Sequence, residues 1–352
     1  MSKPWRSAVV GTGVVGEWHV RTIPTLPNAQ LVAICDTNPA RAKAVLEKQH
    51  QEHVPHYTDL HEMLAREQLD VVHICTPSGL HMGPAIAAME AGKNVIVEKP
   101  MEIQLDRIDR MIAVSRERGV RLAGIFQNRW NDANRALKAA ADEGRFGRLA
   151  WAGCFTPWYR PDKYYEDGGW RGTWKLDGGG AIMNQSVHAV DLLQWIVGPV
   201  KRVSAYASSR IHAKIEVEDT LSCSLQFENG AFGTIVGTTA MYPGSAVRIE
   251  LGGENGTAVS ENGLKVFKFR DPRPSDPAPL DAAAAKPATT GGGSSNTDVP
   301  LDLHGRNMHA ILSAWSEGRD AETNAVEARK AVAIVLAMYE SARNNGAAVD
   351  VV

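Results

Sequence analysis

The sequence predicts an α/β protein: an N-terminal doubly wound parallel sheet, then a second α/β domain on a large, mostly antiparallel open sheet. Three observations predict it. Through residue 126, short continuous apolar runs alternate with amphipathic stretches, as expected for parallel strands buried on both faces. The run Ala8–Val10 drops into Gly11-x-Gly13-x-x-Gly16, and the run Leu31–Cys35 ends on Asp36, 20 residues after Gly16. From about Gly124 the texture changes to strand-like runs with a hairpin signal at Glu228-Asn229-Gly230.

In chain order, the first domain (1–123) has strands at Ser7–Val10, Gln30–Cys35, Val54–Tyr57, Asp70–Cys75, Asn94–Val97 and Arg121–Phe126. Helices near 14–25, 39–50, 59–67, 80–91 and 104–118 lie between them. Asn38-Pro39 and Thr58-Asp59 mark helix starts, and Ala91-Gly92 and Arg118-Gly119 mark helix ends. The second domain (124–352) opens with a helix near 131–143, a strand at Leu149–Thr156 and a loop crowded with aromatics. Residues 179–197 are apolar at helical spacing, and strands follow at 201–209, 219–228, 231–240, 246–252, 256–260 and 264–269. Residues 271–300, rich in Pro, Ala, Gly, Ser and Thr, read as a flexible loop. Two helices between 304 and 343 close the chain.

Composition narrows the function. The formal net charge is −2, with Lys and Arg scattered along the chain, which gives no footprint for nucleic acid or a membrane surface. The longest helical apolar run, Ala331–Tyr339, is too short to span a bilayer. The first strand starts close to Met1, leaving no room for a signal peptide. Four widely spaced cysteines with no C-x-x-C read as reduced core thiols, and no metal site is expected. The expected location is cytoplasmic.

The glycine run carries the chemistry first. Gly11 permits a tight turn, Gly13 admits a pyrophosphate to the backbone, and Gly16 lets helix and strand pack closely. The phosphates then meet the helix's first N–H groups, around Val14 and Val15. Asp36 is placed to accept hydrogen bonds from the adenine ribose and would repel a 2′-phosphate, so NAD is favoured over NADP; Arg41 nearby softens the preference. Thr76-Pro77 follows the fourth strand and lines the cofactor path, with His81 a further candidate contact or a helix-packing residue. Val95-Ile96-Val97 ends in Glu98-Lys99-Pro100, where Pro100 fixes a turn that suits a cis bond. Glu98 and Lys99 are expected cofactor contacts, and a partly desolvated Lys99 there suits proton transfer. Further on, Gly178-Gly179-Gly180 opens a helix on which Asn184 and His188 are four apart, so both are expected to project from one face.

Together, Gly11–Gly16, Thr76-Pro77 with His81, Glu98-Lys99-Pro100 and the Gly178–Asp191 segment resemble the Gfo/Idh/MocA oxidoreductases over nearly the whole chain. The resemblance implies a Rossmann domain and a C-terminal domain whose open sheet mediates homodimers or homotetramers. It implies NAD(P)-linked oxidation or reduction of sugars, polyols or their derivatives. Lys99 matches the family's catalytic lysine and His188 its catalytic histidine. Asn184 departs from the pattern: many members carry Asp there, and asparagine removes that charge while keeping the shape.

Residues 151–174 hold eight of the chain's 23 aromatics, interleaved with Arg160, Lys163 and Arg171, a composition suited to sugar faces and hydroxyls. Tyr165, Trp170 and Arg171, nearest the glycine loop, are the expected substrate contacts beside Lys99, Asn184 and His188. The reading is an NAD-dependent dehydrogenase acting on the CH–OH group of a small carbohydrate or polyol. Its rivals are a redox-neutral, NAD-dependent glycoside-cleaving enzyme working through C3 oxidation and elimination, and a non-catalytic NAD-binding protein.

Overall fold

The computed structural model describes residues 3–166, 169–279 and 301–352. Its contacts divide the chain into two compact units, Met1–Gln127 with Leu301–Arg329, and Asn128–Pro300 with Lys330–Val352.

The first unit carries parallel strands β1 (Trp5–Val10), β2 (Ala29–Cys35), β3 (His56–Tyr57), β4 (Val71–Ile74), β5 (Asn94–Val97) and β6 (Leu122–Gly124). Between them run helices α1 (Val14–Thr22), α2 (Pro39–Lys48), α3 (Leu60–Arg66), α4 (Met82–Glu90) and α5 (Leu105–Arg118). The strand order is 3-2-1-4-5-6, the doubly wound Rossmann arrangement, which places ligands at the carboxyl ends of β1 and β4 where the order reverses. The local signals account for the boundaries. Asn38 caps α2 by accepting from Arg41 N, Asp59 caps α3 by accepting from Glu62 N, and Gly119 ends α5 at φ 64°. The expected strand Val54–Tyr57 shrinks to the edge pair His56–Tyr57, in register with Ile34 and Cys35. β6 also stops early, because Gly124 N turns to Thr323 O and Phe126 N to the Asn307 side chain.

The second unit contains α6 (Asp132–Asp142), β7 (Leu149–Pro157), α7 (Asp162–Glu166), α8 (Val187–Val197), β8 (Val200–Ser208), β9 (Thr220–Phe227) and β10 (Phe232–Thr238). β11 (Arg248–Gly253), β12 (Gly256–Glu261) and β13 (Leu264–Phe269) follow, and β14 (Val349–Asp350) ends the unit; of the two closing helices, α9 (Leu301–Ser316) falls in the first unit and α10 (Ala325–Arg343) passes to the second after Arg329. Eight of these strands form one open sheet in the order 13-12-11-7-10-9-8-14, antiparallel except for the β7–β10 pair. The expected hairpin is present, with Gly230 at φ 87° between β9 and β10. β9 alternates along its length: Leu221, Cys223, Leu225 and Phe227 are buried, while Ser222 and Ser224 face out. On β8 and β10, Tyr206 and Phe232 remain 68% and 62% exposed. Residues 271–279 form no regular element, and 280–300 of the expected flexible loop lie outside the described residues.

Two expectations are corrected. The sequence-based division after residue 123 put both closing helices in the second domain, whereas α9 belongs to the first unit. Its Met308, Ile311, Leu312 and Trp315 share one apolar core with Val9, Val20, Ile23 and Ile34. The expected continuous helix over 179–197 is two elements, a π-helix over Ala181–Ser186 and then α8. Ser186 Oγ donates to Ala181 O five residues back, at 2.8 Å, which suits the wider turn.

Candidate active site

At the switch point of the first sheet the glycines divide their work. A Cβ on Gly16 would lie 1.9 Å from Gly11 O, and one on Gly11, itself at φ 87°, would lie 2.7 Å from Cys75 O. Both are therefore fixed by packing. A Cβ on Gly13 would meet nothing within 4 Å, so that glycine faces open space at the start of α1, where no side chain caps the helix. An uncapped helix start beside an unfilled glycine, with Val14 exposed and Val15 half-buried, is a cradle that fits a pyrophosphate.

Asp36 stands at the carboxyl end of β2, almost wholly buried. It accepts from Thr12 N and Thr12 Oγ1 at 2.7 Å each and from Asn38 N at 2.8 Å. Burial alone would raise its pKa, but these donors hold the carboxyl below its usual value, so it is an anion. Arg41 Nη1 lies 3.8 Å from the same carboxylate.

Thr76 and Pro77 follow β4, half-buried, with Thr76 Oγ1 donating to Leu80 O at 3.1 Å. His81 is buried. Its ring joins two loops, with Nε2 2.8 Å from Thr76 O and Nδ1 3.0 Å from Pro100 O. It thus braces the strand ends, as a packing residue does. The Lys99–Pro100 bond is cis. Glu98 also points inward: Oε2 accepts Lys99 N at 3.1 Å, and Oε1 lies 2.9 Å from His19 Nε2. Lys99 is half-buried at the turn that Glu98 braces.

Behind Glu98 lies a histidine cluster that sequence reasoning missed. His19 Nδ1 meets His73 Nδ1 at 3.0 Å, and His304 Nε2 lies 3.6 Å from Glu98 Oε1, beyond good hydrogen-bond length. Proton accounting assigns the ring states. Burial pushes the pKa of His19 down and that of His73 well down, so both are neutral near pH 7. A neutral His19 that donates Nε2–H to Glu98 must accept at Nδ1, so His73 donates from its Nδ1. Burial would raise the Glu98 carboxyl, but the His19 bond holds it well below the usual range. Two signals were available: a histidine three residues after Gly16, and another within the apolar strand Val71–Ile74.

The second unit holds the other candidates. Asn184 lies in the π-turn Ala181–Ser186, and His188 lies on the helix that follows it. Asn184 is buried and donates from Nδ2 to Asp177 Oδ1 at 2.5 Å. A carboxylate therefore stands beside the position where one was expected to be missing. His188 is half-buried on the first turn of α8. One turn on, Asp191 forms a buried bidentate pair with Arg129, at 2.8 and 2.5 Å.

The glycine turn before this helix is clamped. Glu218, buried, accepts from Gly180 N at 3.0 Å, Ile182 N at 2.9 Å and Tyr339 OH at 2.8 Å. A Cβ on Gly180 would lie 1.9 Å from Glu218 O, so glycine is required there. Sequence alone offered little toward Glu218 or Tyr339, which lie 38 and 159 residues beyond Gly180.

The aromatic loop is a network of its own. Arg171 lies 4.7 Å over the Tyr164 ring and 5.1 Å over Trp170, both cation–π distances. Tyr165 shares a 2.7 Å hydrogen bond with Thr239 Oγ1 and packs edge-on against His212. A small cavity of about 110 Å³ is lined by Tyr165, Arg171, His212 and Lys214 among others. A larger concavity of about 700 Å³, beside Arg148, Val197 and Glu254, contains none of the candidate residues.

All four cysteines are free and buried, and no group of three or more ligating side chains among the described residues suits a metal. No helix among them is long and apolar enough to cross a membrane.

Two family models match the chain. An oxidoreductase family with an NAD-binding Rossmann fold covers residues 5–126, and the GFO/IDH/MocA C-terminal domain covers 134–259. A solved structure of the WlbA dehydrogenase from Bordetella pertussis, in complex with NADH and UDP-GlcNAcA, is 34% identical. It covers 99% of each chain at a TM-score of 0.86. The myo-inositol 2-dehydrogenase of Thermotoga maritima is 28% identical over 73% of this chain and 75% of its own. The D-apiose dehydrogenase of Paraburkholderia graminis is 24% identical over 97% and 88%.

Proposed function

The chain belongs to the Gfo/Idh/MocA family of oxidoreductases, and from that premise we propose that it is an NAD-dependent dehydrogenase acting on a hydroxyl-bearing carbon of a sugar, polyol or sugar derivative. The observation that carries the reading is the cradle at Gly13 with an anionic Asp36 at the end of β2. Gly11, Gly13, Val14, Val15 and Gly16 hold the pyrophosphate, Asp36 the adenine ribose, and Thr76 and Pro77 the path toward nicotinamide. When bound, NAD supplies the hydride acceptor. Lys99, His188 or both in relay take the hydroxyl proton, Asn184 orients the reacting group, and Tyr165, Trp170 and Arg171 contact the substrate. Glu98 and His81 act behind them, as braces of the Lys99 turn.

NAD is preferred over NADP, by about tenfold. Asp36 already accepts three donors, leaving about one of its roughly four acceptor positions for the ribose. Arg41 at 3.8 Å offsets part of the repulsion toward a 2′-phosphate.

A nucleotide-linked sugar acid is the first substrate to try, because a full-length relative at 34% identity is solved with UDP-GlcNAcA. The relatives named above are dehydrogenases, which favours net oxidation over redox-neutral glycoside cleavage. Exposed Tyr206 and Phe232 on the second sheet support a homodimer or homotetramer built through that face.

The test incubates the protein with NAD and UDP-GlcNAcA, other nucleotide sugars, free sugars, inositols and glycosides, following NADH absorbance and product identity. NADH accumulating with one substrate class is expected. Lys99→Ala should cut kcat by roughly 10²–10⁴ with NAD affinity kept. Product without NADH would establish the redox-neutral route, and NAD binding with no turnover of any substrate would leave a binding protein.

A further inference from the structure

We propose that Asp177 is a positioning residue of this site. Its buried carboxylate fixes the Asn184 amide, so the site's negative charge sits one hydrogen bond behind the helix instead of on it. The activity readouts below rest on the dehydrogenase reading; the inference about the Asp177–Asn184 pair is separate from it.

Asp177 is 1% exposed, immediately before the glycine turn. Its Oδ2 accepts Gly172 N at 2.8 Å and its Oδ1 accepts Asn184 Nδ2 at 2.5 Å. The other end of the amide is also engaged: Asn184 Oδ1 accepts Gln185 Nε2 at 3.0 Å. Gln185 is held in turn by Tyr164 OH at 2.7 Å and by Arg160 Nη2 at 2.9 Å. Flipping the Asn184 amide would turn an oxygen toward a carboxylate and an N–H toward an N–H. Its orientation is thereby fixed.

This arrangement demands a donor at 184. A carboxyl group there would meet a second carboxyl at hydrogen-bond distance, and the two could not both ionise. Asparagine at 184 is therefore the partner that Asp177 requires. An aspartate at 184 would not install an independent base; it would create an acid pair sharing one proton. Asp177 bears electrostatically on Tyr164 and Tyr165 of the aromatic loop and on Tyr339 of α10; Arg160 and Arg171 bear on Tyr164, and Glu218, ahead of β9, on Tyr165 and Tyr339. Burial raises the three phenols beyond reach of ordinary pH, so Glu218 is the one other group among these that can take up a proton.

The test compares wild type, Asp177→Asn, Asn184→Asp and the double exchange Asp177→Asn with Asn184→Asp. Readouts are kcat, KM, the pH profile of kcat/KM, NAD affinity and Tm. Asp177→Asn should lower kcat about tenfold or more, the effect of losing a charge-assisted hydrogen bond, with NAD affinity kept. Asn184→Asp should add an ionisation absent from wild type, with the rate falling as pH rises through it. The double exchange restores one carboxylate and one amide, and should recover at least about tenfold over the worse single variant and lose the added ionisation. A double variant no better than the worse single one, folded or not, would overturn the proposal. So would an Asn184→Asp profile superimposable on wild type. Failure of every protein, wild type included, to turn over any substrate would count against the dehydrogenase reading. In that case the pair is decided by Tm against pH, where Asn184→Asp must lose stability as pH rises and the double variant must not.

Discussion

Glu98 in the first unit and Asp177 in the second are both buried carboxylates that brace a candidate residue, yet they are held by different chemistry. Glu98 is bonded by an imidazole and a backbone N–H, with His73 behind the imidazole. Asp177 is bonded by a side-chain amide and a backbone N–H, in a network that continues through Gln185 to an arginine. Histidines gain protons within the range of ordinary experiments, whereas amides and guanidinium groups do not. The first support is thus sensitive to pH as it falls below 6.5, and the second is not.

The largest effect expected is at the glycines of the first unit. Gly16→Ala should cost about 3 kcal/mol or more in urea unfolding, because its Cβ would meet the Gly11 carbonyl with backbone on both sides. Gly13→Ala should leave stability within about 1 kcal/mol of wild type but weaken NAD binding. A Gly13→Ala protein with wild-type NAD affinity would remove the cradle from the cofactor site.

Next in size is the clamp on the second glycine turn. Glu218→Gln keeps the shape but turns its N–H₂ toward one of the two backbone N–H groups that the carboxylate accepts, and should cost about 2–3 kcal/mol. Denaturant midpoints measure it. A loss under about 0.5 kcal/mol would mean that packing around Gly179 and Gly180 holds the turn without the carboxylate.

The smallest effect tests the contrast itself. His19 and His73 have folded-state pKa values below 6.5, so under that pH the unfolded chain binds more protons than the folded one. Stability is then lost as pH falls from 6.5, by about 1.4 kcal/mol per histidine per unit until the folded value is reached. His73→Asn keeps a donor toward His19 Nδ1 but cannot titrate, so it should lose less stability than wild type as pH falls below 6.5. Asp177→Asn should leave that slope unchanged. Equal slopes for wild type and His73→Asn would show that the cluster is not what senses pH.

What was legible in the sequence was local. The glycine run, Asp36, the caps at Asn38 and Asp59, Gly119 and the Asn229-Gly230 hairpin each act within a few residues, so spacing alone exposes them. The same holds for the doubly wound sheet, whose strands are short apolar runs with fixed punctuation. The supports behind the candidate residues were not legible, because their partners come from distant stretches: Glu98 with His19 and His73, Gly180 with Glu218 and Tyr339. Asp177 was close enough in sequence to Asn184 to be noticed, but the hydrogen bond between them joins a loop residue to a helical one, a pairing that no helical periodicity reveals. The path of α9 was hidden for a similar reason. Its apolar stripe is plain, but the stripe does not say which sheet it covers.

That path has a consequence for how the protein is made. The core around Val20, Ile23 and Leu26 is closed by Met308, Ile311 and Trp315, which leave the ribosome only after nearly all of the second unit has been translated. At ordinary elongation rates the nucleotide-binding half therefore waits roughly 10–30 s with an apolar face bare. The first half of the chain is consequently the part that most needs shielding during synthesis. A fragment ending at Gln127 would keep that bare face permanently, whereas one that also carried residues 301–329 on a short linker would not.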